Sequence, residues 1–307
     1  MVADVTSQFV RLDALAHQDR RLLRFTGVDV GRFLQGVLSA DVQQLRPGHA
    51  QAATILTVKG KIISDAIVLC GVEGAIALAV PAGIADEVLA LIDRHIIMDD
   101  VQVRLEPLQC FALAWPEGPE ATTEVLRFVT RHPAPGVLYV GERTALTRAL
   151  ASVPEAEPDA YALHRIAAAA PAWGHEIAAD TFPPEVGFVA AVSYDKGCYM
   201  GQEPLARIHA RGQVNRVLVQ VRAAKLPAGP VILMAPERPE AGRWTTWASS
   251  PDGAVGLAIV HRSVARPGTV LMAEGVGEVE VCSGPMGDDP GLPDKKTATV
   301  TVPLGKR

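Results

Sequence analysis

Lys196-Gly197-Cys198-Tyr199-Met200-Gly201-Gln202-Glu203 divides this chain into two unlike halves. Upstream of it, strand-like runs alternate with helical periodicity. Downstream of Gly212 the runs are short, β-like and broken by glycine and proline, as in a small barrel or sandwich. The stretch itself is dense in polar and aromatic groups. Lys196 and the nearby Arg207 can stabilise a thiolate on Cys198, which would make it nucleophilic, redox-active or a soft-metal ligand, and Tyr199 can stack on a planar heterocycle. A turn leading into a helix, with Cys198 simply buried, accounts for the same residues.

Working back toward the N-terminus, residues 160–170 read as helix and 171–187, rich in proline, as loop. Residues 21–25 read as a strand, followed by Asp29 as cap of a helix carrying Val30, Phe33, Leu34, Val37 and Leu38 at helical spacing. Two strands, 52–58 and 62–70, flank Lys59-Gly60-Lys61, a hairpin turn bearing two lysines. A strand at 75–80, a helix at 84–97 and a strand at 101–108 complete a β-α-β run. Residues 115–158 give short strands, loops and a helix near 142–153. Beyond Gly212, strands are expected at 216–221, 231–234, 254–261, 270–273, 278–282 and 297–302, the last after a connector at 284–296. The change of pattern divides the chain into 1–210 and 211–307.

At 307 residues, two or three domains are expected. A net charge of −5 argues against a broad nucleic-acid footprint. Cys70, Cys110, Cys198 and Cys282 lie far apart, with no C-x-x-C pair, so neither a disulfide scaffold nor a cysteine-only zinc site is indicated and a reducing cytoplasm is expected. No apolar run is long enough to span a membrane and no secretory pattern opens the chain, so no membrane partner is expected. His175-Glu176 starts like a metalloprotease helix, but Ala179 stands where the second histidine belongs. Gly275-Val276-Gly277 opens no helix for a dinucleotide, and neither G-x-S-x-G nor a phosphate loop occurs.

The string K-G-C-Y-x-G-Q-E resembles the motif of YgfZ-type proteins, relatives of the tetrahydrofolate-dependent T-protein of glycine cleavage. Phe33-Leu34-Gln35-Gly36 with Ser39-Ala40-Asp41-Val42 resembles the family's F-L-Q-G-Q-x-T-x-D-V, with Val37 and Ser39 replacing glutamine and threonine. Lys59-Gly60-Lys61 looks like its basic glycine turn. Pro171-Ala172-Trp173-Gly174 and Phe182-Pro183-Pro184-Glu185 look like its G-x-P-x-x-G and P-x-E segments. The resemblance implies an α+β fold of three domains in a T-protein-like ring around a central folate channel, with a C-terminal antiparallel β-barrel; residues 1–210 would then hold two interleaved α+β domains, one near 50–125.

It also implies roles. Glu185 would bond the pterin ring as an acceptor of two N–H groups. Lys196, Tyr199, Arg207 and Arg216 would line the folate, with Arg211 a further candidate for its glutamate tail; Cys198 would be the working thiol. Asp65 keeps only the second of two consecutive acids that serve chemistry in T-proteins. The function so implied is a tetrahydrofolate-binding accessory protein for maturation or repair of iron–sulfur proteins, with those proteins or their assembly factors as partners. A folate-dependent aminomethyl- or methyltransferase, with Cys198 and Asp65 as catalytic groups, is the alternative, and a noncatalytic folate-binding scaffold a third reading. One cysteine cannot hold a whole cluster, so any cluster contact is transient or shared.

Overall fold

The computed structural model describes residues 7–15, 17–71, 73–211 and 214–286. The strand expected at 297–302, the connector beyond Met286 and the side chain of Arg211 lie outside the described residues. In chain order the elements are β1 (Gln8–Arg11), β2 (Arg20–Thr26), α1 (Val30–Val37), β3 (Ala50–Leu56), β4 (Ile62–Cys70), β5 (Ile76–Pro81), α2 (Ala85–His95) and β6 (Gln102–Leu105). Then come β7 (Cys110–Trp115), β8 (Val125–Thr130), β9 (Gly136–Gly141), α3 (Arg143–Ala149), α4 (Pro158–Ala167) and α5 (Gln202–Arg211). The last strands are β10 (Arg216–Ala223), β11 (Val231–Ala235), β12 (Arg238–Ser250), β13 (Gly253–His261), β14 (Val270–Ala273) and β15 (Gly277–Val281).

Five strands form a sheet in the order β3-β4-β5-β2-β6, and four form another in the order β1-β7-β9-β8. Side chains alternate faces along a strand. On the first sheet Leu23, Phe25, Val68, Leu78 and Val80 therefore meet α1 and α2, while Leu22, Ile67, Leu69 and Ala79 pack against Phe111, Leu113, Phe128 and Leu138 of the second sheet. That parity also places Arg20 and Asp65, each two residues before a leucine or isoleucine of the inter-sheet face, between the two sheets. In α2, Asp86 and Glu87 occupy the first turn and Arg94 and His95 the last, matching the helix dipole. The side chain of Asp29, expected to cap α1, instead accepts from the amide of Asp100 at 2.8 Å and pairs with Arg32.

The remaining six strands close an antiparallel barrel, β10-β13-β12-β11-β14-β15, which leaves no free sheet edge. Strand β12, which its proline and polar residues conceal in the sequence, is the longest; it pairs on both sides and carries a register shift between Trp244 and Thr246. The buried Trp244 indole donates to Thr246 O at 2.7 Å and lies so close to Gly256 that any side chain there would overlap it. Burying such an aromatic is a large part of what holds a small barrel shut.

Candidate functional site

The polypeptide around Cys198 is welded to segments some 150 residues earlier. The ammonium of Lys196 donates to the carbonyls of Gln35, Leu38 and Ala40 at 2.7, 2.6 and 2.7 Å. Carbonyls at the end of a helix lack partners and carry partial negative charge, and an ammonium has three donors to offer them. Burial pulls Lys196 down to about 8, with nearby Asp41 opposing. Met200 N donates to Gly36 O and Ser193 N to Ser39 O, tying the same loop to the turn after α1. Gly201, at φ 81°, sits so tightly against β3 that a Cβ would stand 2.6 Å from Thr57 O, and Gly60 at φ 75° faces it from the Lys59-Gly60-Lys61 turn. Three motifs far apart in sequence thus interlock by backbone fit.

This geometry reassigns two expected ligand contacts. Lys196, expected to line the folate, spends all three ammonium donors on the chain itself and acts as a cap at the end of α1. Tyr199 is 6% exposed and packs with Leu56, Val186 and Leu205, with the Lys196 ammonium 4.7 Å above its ring, so it has no free face on which a heterocycle could stack. Burial pushes its hydroxyl up to about 12. Cys198, in contrast, is exposed between these two buried neighbours. Arg207 on α5 is exposed and makes no ion pair among the described residues.

Glu185 and Arg216 do come together. They line a cleft of about 290 Å³ between the short 3-10 turn at Pro183–Val186 and the barrel, with Arg238, Arg243, His175 and His261. One carboxylate oxygen of Glu185 accepts from the amide of Phe182 at 3.1 Å, a local cap of its own turn. The other takes no hydrogen bond among the described residues. The three arginines of the cleft come from two barrel strands, Arg216 from β10 and Arg238 and Arg243 from β12, a juxtaposition that no sequence spacing announces.

Asp65 is elsewhere and fully enclosed. Its carboxylate receives both Nη atoms of Arg20 at 2.9 Å and His132 Nε2 at 3.1 Å. Burial works to raise its pKa, but Arg20 and His132 outweigh it and hold the group at about 2. Buried at 0% exposure and accepting from both partners, Asp65 neither meets a ligand nor ends a hairpin; it joins the two sheets. A second buried acid escaped sequence reasoning. Glu176 pairs with Arg165 and accepts from the hydroxyls of Thr245 and Thr246 at 2.6 Å each, linking α4 and the 171–177 loop to the barrel. Its adjacency to His175 drew notice only as a failed metal motif.

No protein-family model matches the chain. An iron-sulfur cluster assembly factor IBA57 homolog, mitochondrial, from Neurospora crassa is 26% identical over 314 residues, spanning 91% of this chain and 72% of that protein. A tRNA-modifying protein YgfZ from Yersinia pestis is 26% identical over 252 residues, 73% of this chain and 76% of its own length. Among solved structures, the glycine cleavage system aminomethyltransferase T from Bartonella henselae aligns with a TM-score of 0.74 at 20% identity, covering 92% of this chain and 86% of that one. The last likeness shows the fold: an α+β, T-protein-like architecture ending in the closed six-stranded barrel.

Proposed function

We propose that this chain is a YgfZ-type, T-protein-like protein and, on that premise, a tetrahydrofolate-binding accessory protein for maturation or repair of iron–sulfur proteins, a reading supported by its similarity to the IBA57 homolog, YgfZ and the T-protein fold. The observation that carries the reading is the presentation of Cys198. Its neighbours Lys196 and Tyr199 are anchored and buried, so the loop is rigid while its thiol faces outward. One thiol supplies one ligand, and the remaining ligands of any cluster come from the client or its assembly factors. All four cysteines are free, which suits work in a reducing cytoplasm, and among the described residues no helix is long and apolar enough to cross a membrane.

The Glu185 cleft fits folate chemically. The unengaged oxygen of Glu185 suits an N–H of the pterin edge, and Arg216, with Arg238 and Arg243, suits the carboxylates of the tail. Tetrahydrofolate would supply a carrier for one-carbon units there. In this division, residues 1–210 hold the folate-binding region and 211–307 contribute the barrel wall. The enclosure of Asp65 weighs against the aminomethyl- or methyltransferase alternative, because a carboxylate pinned by Arg20 has no access to a reacting group. Titration of tetrahydrofolate against wild type, Glu185→Ala and Arg216→Ala tests the cleft: each variant is expected to bind at least tenfold more weakly, and a wild type that does not bind rejects the reading. Cys198→Ala should keep folate affinity yet fail to sustain iron–sulfur enzyme activity in cells lacking the wild-type chain; full activity would reject the role of the thiol.

A further inference from the structure

A hollow of about 240 Å³ lies where the loop before β2, helix α4 and strand β12 meet, with no residue of the Cys198 loop on its walls. Pro158, Tyr161, Ala162 and Arg165 recur on α4 at three- and four-residue spacing, so one face of the helix forms one wall, and residues 245–247 of β12 form another. Gln18 comes from the loop. Two buried polar atoms here lack partners. Gln18 is 2% exposed and its amide nitrogen donates to Trp173 O at 3.2 Å, yet Oε1 has no hydrogen-bond partner among the described residues; Tyr161 is 3% exposed and its hydroxyl is equally unpartnered. Buried polar atoms are costly to leave unpaired, so each calls for a partner from outside the chain. The charges around them set the sign of that partner. Arg165 is already committed: Nη2 donates to Glu176 at 2.5 Å, Nε to Ala170 O at 3.2 Å and Nη1 to Thr246 Oγ1 at 3.5 Å, which leaves it no fork to offer an anion. Burial lowers the pKa of His175, so that ring is neutral at pH 7. Asp159 is the charge left over. It is exposed in the first turn of α4, its carboxylate has the amide of Ser249 at 3.5 Å, and it makes no ion pair among the described residues. Trp247, half-buried, adds an aromatic wall.

We propose that this hollow binds a small organic cation rich in N–H donors, an amidinium or primary ammonium on a single ring or short chain, with Asp159 as its counter-ion, Gln18 Oε1 and the Tyr161 hydroxyl as acceptors and Trp247 as its apolar wall. A cation gains from a carboxylate and from an indole face together, and its several N–H groups match the several acceptors. The volume lies below the roughly 300–1,000 Å³ of drug-sized sites, which limits the ligand to about one ring. His175 and Thr245 line both this hollow and the Glu185 cleft, but no part of the proposal rests on the folate reading.

Calorimetric titration with benzamidine, benzamide and benzoate tests it, since the three share one ring and nearly one shape and differ in charge. Wild type is expected to bind benzamidine saturably, one per chain, and at least about tenfold more tightly than the neutral amide or the anion. D159N should lose that preference while melting like wild type, because the side chain is exposed. Y161F should melt no lower than wild type, since the hydroxyl it removes has no partner among the described residues, yet should bind benzamidine at least about threefold more weakly. E240Q, which neutralises an exposed acid of the neighbouring cleft, should leave benzamidine affinity unchanged. No saturable binding of benzamidine, equal binding of benzamide or benzoate, or an unchanged preference in D159N overturns the proposal. Unchanged affinity in Y161F would overturn the part given to its hydroxyl, and a loss in E240Q would put the cation in the cleft and overturn the assignment of the hollow. Failure of tetrahydrofolate to bind wild type would sink only the folate reading.

Discussion

Replacing Asp65 by asparagine removes a negative charge and almost no volume, from a place where Arg20 and His132 both depend on it. The two Arg20–Asp65 hydrogen bonds are 2.9 Å long and both side chains are at 0% exposure, so the guanidinium cannot turn to water once its partner is neutral. Removing one member of such a pair costs about 3–5 kcal/mol, because the survivor is a buried, uncompensated charge. Urea unfolding of D65N should show that loss. The paired replacement R20M/D65L should recover most of it, since taking out both charges removes the desolvation cost as well as the attraction. The pH dependence has a definite sign. The folded carboxyl titrates at about 2, below its ordinary 3.8, so its contribution is complete above about pH 4 and is lost as pH falls from about 4 toward 2. That gap corresponds to about 2 kcal/mol, so the stability difference between wild type and D65N should shrink by about that much across the window. A loss below about 1 kcal/mol at neutral pH, or a D65N protein of normal stability that lacks only a transferase turnover, would refute the structural assignment.

Lys196→Met strands the carbonyls of Gln35, Leu38 and Ala40 and should cost about 2–3 kcal/mol, with faster amide exchange over residues 193–201; an unchanged exchange pattern would contradict the capping role. In the native protein two thiols, Cys198 and Cys282, should react quickly with a disulfide reagent while Cys70 and Cys110 stay silent, and Cys198→Ala should lower the fast count to one with stability within about 0.5 kcal/mol of wild type. Gly201→Ala should lose about 2 kcal/mol or more in thermal unfolding because of its positive φ and the 2.6 Å approach to Thr57 O; Gly197→Ala, with nothing within 4 Å, should be nearly neutral, and equal effects of the two would undo the interlocking account.

Much of the fold was legible in local patterns. The hairpin of β3 and β4, helix α2 and most barrel strands follow from apolar periodicity, glycine turns and helix-end charges, which depend on near neighbours in the chain. The second sheet was not legible as a sheet, since its edge strand β1 is four residues long and pairs with β7, which begins about a hundred residues later. Strand β12 was missed because Arg238, Pro239, Glu240 and Arg243 interrupt its apolar pattern, and its pairing with β11 on one side and β13 on the other exists only in the closed barrel.

The string from Lys196 to Glu203 carried the resemblance to the YgfZ-type proteins in the sequence alone, because that much residue identity at fixed spacing is itself the information. What each side chain does there depended on groups remote in sequence. Three carbonyls at the end of α1 and just beyond it occupy Lys196 as a cap, Arg20 and His132 hold Asp65 as a buried joint, and packing of the 183–186 turn against β10 sets Arg216 beside Glu185. Spacing along the chain records which groups are available; burial and long-range pairing, which exist only once the sheets and barrel have closed, decide how they are used.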